Sequence, residues 1–220
     1  MNLISITCWL MLAMTAGAVE YRVEVLKEGP PVEGLSEEVA GQLTDSGFRV
    51  IRGTSTTYCD LWLCREWPFD KDFKATAAVL YPFRPGQLIG VARFARKGAD
   101  FRDQDIASGV YTLRYGQQPV DGAHVGTSPT RDFLLLVRAE DDRVKAVTDE
   151  KALSQQSAQA AGSNHPCMLS MQRLVESPKY PSIRHVEESD WWIAGLAGTA
   201  VADAARPFPV EFVIAGHAAE

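Results

Sequence analysis

Residues 121–137 read DGAHVGTSPTRDFLLLV, and the two halves of that stretch differ in kind. Residues 133–137 are five apolar side chains in a row, too few for a stable helix but suited to a strand covered on both faces. Residues 121–132 place a histidine, three hydroxyls, two aspartates and an arginine immediately before it. Asp121-Gly122 and Ser128-Pro129-Thr130 are turn chemistry, so the polar half is first of all the loop that delivers the strand.

The flanking sequence supports a β reading. Before the loop, Tyr111, Leu113 and Tyr115 alternate with Thr112 and Arg114, the period-2 signature of a strand. Val19, Tyr21, Val23 and Val25 alternate with Glu20, Arg22 and Glu24 in the same way, up to the stop at Gly29-Pro30-Pro31. Residues 48–51 and 57–64, joined through Gly53-Thr54-Ser55, read as a hairpin rich in β-branched and aromatic side chains. Further strands are expected at 88–95, 168–174, 191–197 and 210–214, whereas 71–85, in a region broken up by Pro68, Pro82 and Pro85, reads as a connecting excursion.

Two helices are expected. Residues 36–46 begin with Ser36 as a cap, place Glu37 and Glu38 at the positive end of the dipole and exit at Gly47. Residues 148–161 are free of breakers and end at Gly162. Roughly eight or nine short strands against two short helices give a mainly antiparallel β-sandwich, with a jelly roll as one possible form. No GxGxxG, Walker A, GxSxG or HExxH pattern occurs, so the common nucleotide-binding and hydrolase signatures are absent.

Residues 1–18, MNLISITCWLMLAMTAGA, carry no charged side chain and end in Ala16-Gly17-Ala18. This reads as a secretory signal cleaved before Val19, leaving a secreted or periplasmic protein that is one domain over 19–220 and has no membrane span. The net charge of −6 argues against a nucleic-acid partner, whose phosphates require clustered Lys and Arg. Of the four cysteines, Cys8 lies in the leader, leaving Cys59, Cys64 and Cys167. On one strand, Cys59 and Cys64 would lie about 16 Å apart and face opposite sides, well beyond the ~7 Å limit for a disulfide. Cys167 could meet either one, but three separate buried thiols are the favoured reading.

The phrases IASGVYTLRYGQQPVDGAHVGTSPTRDFLLLV, GSNHP, DWWIAGLAG and FVIAGH resemble a group of exported bacterial proteins that carry them in the same order and have no assigned activity. The resemblance covers most of the mature chain, and its specificity lies in the long central phrase. Cys59, Cys64 and Cys167 look like departures from the group's pattern, and the resemblance implies no catalytic role for any residue.

The residues set out as a candidate ligand site are Asp121, His124, Thr130, Arg131 and Asp132, with Thr127 and Ser128 beside them and His165 from the segment Asn164-His165-Pro166. Loops joining sandwich strands are where binding groups collect, and this one offers an imidazole, carboxylates and a guanidinium together. The alternative is that Arg131 and Asp132 only tie the loop to a neighbouring strand. A metal centre would need Asp121 and His124 completed by His165, His185 or His217. No serine stands in an activating context for a triad, and no motif calls for a cofactor or a bound metal. Trp191 and Trp192 point to opposite sides of a strand, and an exposed ring would suit a sugar face. The sequence is therefore read as a non-enzymatic module for a small molecule, glycan or partner protein, the alternative being a metal-assisted hydrolase built around His124 and His165.

Overall fold

A computed structural model describes residues 19–122, 126–143, 147, 149–175 and 179–218. The chain is mainly β, in two curled antiparallel sheets. Strands β1 (Tyr21–Leu26), β2 (Gly47–Arg52), β3 (Thr56–Leu63), β5 (Leu88–Phe94), β8 (Gly109–Gln117), β9 (Asp132–Arg138) and β10 (Met168–Ser170) form the larger sheet in that order. Strands β11 (Ser182–Val186), β12 (Trp191–Val201) and β13 (Ala205–Ala215) form the second, with the two-residue β4 (Trp67–Pro68) running parallel to β12. Between β5 and β8, β6 (Gly98–Ala99) and β7 (Asp105–Ile106) make a small ribbon.

The long strands of the larger sheet follow one another as a meander. The sheets meet where Met171, just beyond β10, bridges Phe212 of β13. The last four strands then lie in the order β11-β12-β13-β10, a Greek key. At the opposite margin β1 lies beside β11.

The expected elements occur close to the positions the periodicity assigns. Strand β9 is buried from Asp132 to Val137, and the reason is its two covers. Leu134 and Leu136 enter the core between the sheets, whereas Leu135 and Val137 pack against Leu153 of helix α2 (Glu150–Ala160). Asp149 caps α2 by accepting from the amides of Lys151 and Ala152. Helix α1 is shorter than the expected 36–46, spanning Glu37–Ala40, with Ser36 as its cap. It stops because Leu43 is drawn into a bridge with Cys64, and Val39 and Leu43 are both fully buried. Strand β1 departs from a clean alternation, since Val25 is 58% exposed on this margin.

Cys59, Cys64 and Cys167 are buried, separate thiols, and burial pushes the Cys64 thiol up to about 12. Trp67 donates from its indole N–H to the Ile89 carbonyl at 2.9 Å and packs its ring against β12 at Gly198. A Cβ at Gly198 would come within 2.4 Å of that ring, so the sheets close only over a glycine there. No helix among the described residues is long and apolar enough to cross a membrane.

Candidate functional site

The loop between β8 and β9 is held by its own polar residues. Thr130 is buried and donates from Oγ1 to the Met171 carbonyl at 2.6 Å. Arg131 donates from Nε to the Gln118 carbonyl at 2.7 Å, and its amide donates to the Ala78 carbonyl. Asp132 is fully buried at the start of β9, with Oδ1 accepting from the Tyr115 hydroxyl at 2.6 Å and Oδ2 from the Leu80 amide at 2.8 Å. Burial pushes its carboxyl above the ordinary range, opposed by those hydrogen bonds. Ser128 and Ser170 share a hydroxyl–hydroxyl bond of 2.8 Å, and Gln118 donates to Thr127 Oγ1. These contacts fasten the loop to the 78–80 excursion and to the end of β10.

His165, His185 and His217 do not join that group. Asp121 is exposed on the loop, and His124 lies outside the described residues. His165 is exposed beyond α2, where its amide donates to Ser163 Oγ. It precedes β10, whereas Thr130 is tied at Met171, past the other end of that strand. His185 pairs with Asp190 at 2.7 Å and stacks on Trp192, and the His217 carbonyl accepts from the Trp191 indole. Among the described residues no three His, Cys, Asp or Glu side chains group as metal ligands. Both tryptophans are half-buried: Trp191 packs on Phe101, and Trp192 is engaged by His185 and Tyr21. Neither is a bare platform for a sugar ring.

A concave site opens at the same end of the sandwich as the β8–β9 loop, where β3 ends, β5 begins and β8 ends. It is a cavity of about 790 Å³ lined by segments far apart in the chain: Gly41 and Gln42 after α1, Arg65 to Pro68, the turn 84–88, Val147 and Val201. The turn is fixed in place. Gly86 has φ +82°, and a Cβ there would fall 1.9 Å from the Val147 carbonyl oxygen, so only glycine fits. Its amide donates to the Tyr115 carbonyl, and its own carbonyl accepts from Arg114 Nη1 at 2.8 Å.

Arg114 is one half of a fully buried ion pair. It donates from Nε and Nη2 to the Asp142 carboxylate at 2.6 and 2.8 Å, and Thr112 also donates to Asp142. The strand face carrying Thr112 and Arg114 is therefore as buried as the one carrying Tyr111, Leu113 and Tyr115. A buried pair of this kind is retained where every donor has a partner, since a lone buried charge is costly. Here it joins β8, the 84–88 turn and the segment after β9.

The charges around the cavity divide into answered and unanswered. Arg65 makes two hydrogen bonds to Asp45, at 2.8 and 3.1 Å, which hold the Asp45 carboxyl below its ordinary value. Arg84 and Glu66, both exposed, have no ion pair or side-chain hydrogen bond among the described residues. The Arg84 amide donates to Gln87 Oε1 at 3.1 Å, and Gln87 Nε2 is buried without a partner among those residues. Gln42 donates from Nε2 to the Glu38 carbonyl, leaving its own Oε1 as an acceptor. Sequence reading passed over this group because Arg84-Pro85-Gly86 registers there only as a chain breaker.

Comparison with protein-family models, curated proteins and solved structures returns no match to this chain.

Proposed function

We propose that the protein is an exported, non-enzymatic binding module whose ligand is a small molecule held in the cavity between the 84–88 turn and the β4–β12 pair. The observation that carries this reading is the cavity itself. At about 790 Å³ it lies within the ~300–1,000 Å³ typical of small-molecule sites, and it combines apolar walls with a few polar groups. Its walls stand ready: Gly86 is anchored through Arg114 and Asp142, and Pro68 is paired with Val201. A preformed site avoids the ordering cost that a loop must meet on binding. The loop containing Asp121, Thr130, Arg131 and Asp132 borders the same end of the sandwich and braces it through Ala78 and Leu80. Export rests on residues 1–18.

The test uses Nile red, an uncharged dye whose emission rises in apolar surroundings. Wild-type protein is expected to bind it saturably at one site. Val201→Trp and Pro68→Trp, which place a bulky ring in the cavity from β12 and from the exposed end of β4, are each expected to abolish that binding while the protein stays folded by circular dichroism. Unsaturable binding, or binding unchanged in both folded variants, would refute the proposal.

A further inference from the structure

We infer that the ligand is a short peptide bound through its two charged ends, with its ammonium on Glu66 and its carboxylate on Arg84. This inference rests on the cavity being the binding site. Of the charges that line it among the described residues, Arg65 is already answered by Asp45, whereas Arg84 and Glu66 are unanswered and opposite in sign. They are not paired with each other, although they border the same cavity, so a ligand that pairs with both must itself carry two separated charges of opposite sign. Charge-assisted hydrogen bonds to a carboxylate or an ammonium are the stronger class of polar contact, and they fix a ligand's direction as well as its affinity.

The remaining lining narrows the chemistry. Pro68, Pro85, Leu88, Val147 and Val201 give apolar surface for aliphatic side chains. Gln42 offers a free carboxamide oxygen, the complement of a peptide N–H. No aromatic ring is among the described lining residues, which therefore offer no stacking surface for a sugar ring. The described lining residues supply a single carboxylate, too few for a divalent cation. A polyphosphate would set its excess negative charge against Glu66, with Arg65 engaged elsewhere.

Isothermal titration with the peptide Leu-Ala-Leu in four forms tests this: free, N-acetylated, C-amidated and blocked at both ends. Wild-type protein is expected to bind the free peptide best, and each block is expected to weaken binding about fivefold or more. In Glu66→Gln the N-acetyl group is expected to make no further difference, and in Arg84→Gln the C-terminal amide is expected to make none. Equal binding of all four peptides, or an unchanged order of affinities in the variants, overturns the inference. If no peptide binds while Nile red still saturates the wild type and is excluded by Val201→Trp, the peptide inference fails and the cavity reading stands. Loss of that dye result defeats the cavity reading itself.

Discussion

Asp132 shows how a single residue was legible in position but not in role. Its place at the head of an apolar run marked it as the boundary between loop and strand, and that is where it stands. Its burial beneath the Tyr115 hydroxyl and the Leu80 amide depends on residues 17 and 52 positions away, which local periodicity does not report. The consequence is a pH dependence of defined sign. Burial raises the folded-state pKa of Asp132 above its unfolded value of about 3.9. Protonation therefore favours the folded state: its contribution to stability is fully present below the unfolded pKa and is lost as pH rises through the folded one. In urea unfolding, the stability of wild type relative to Asp132→Asn is expected to fall as pH rises from about 4. Taking the difference between the two proteins cancels the titrating groups that do not interact with Asp132, and a rise would contradict the assignment.

At the level of elements, legibility followed periodicity. Strand β9 and helix α2 were readable because five apolar residues and a capped run without breakers are local signals. Strand β8 was only half readable. Alternation separated Thr112 and Arg114 from Tyr111, Leu113 and Tyr115, but not the fact that Asp142 closes over the first pair. That ion pair sits on the outer side of the larger sheet, where it joins β8 to the 84–88 turn through the Gly86 carbonyl. Removing one partner strands a buried charge, so Asp142→Ala is expected to destabilise the protein by about 3–5 kcal/mol in urea unfolding. Replacing both partners, as in Arg114→Met with Asp142→Leu, is expected to recover much of that loss, since no unpaired charge remains. A single variant within 1 kcal/mol of wild type, on the order of a surface substitution, would show that the pair does not hold these elements together.

For the whole molecule, the antiparallel sandwich followed from counting short strands against few helices, whereas the cavity did not. Its walls come from residues near 41, 66, 86, 147 and 201, brought together only when β4 pairs with β12 and the two sheets curl over Trp67. No spacing along the chain encodes that meeting. The loop at 121–132 was legible as chemistry because its polar residues are consecutive, and most of those described are engaged in holding one end of the sandwich. The proposed binding site opens at this end, against the 84–88 turn. Hydrogen–deuterium exchange with and without saturating Nile red tests it most directly. Slowed exchange is expected at residues 41–42, 65–68 and 84–88, with the distant β6–β7 ribbon unchanged. Protection absent from those three segments, or confined to another face of the molecule, would rule out a ligand at this site.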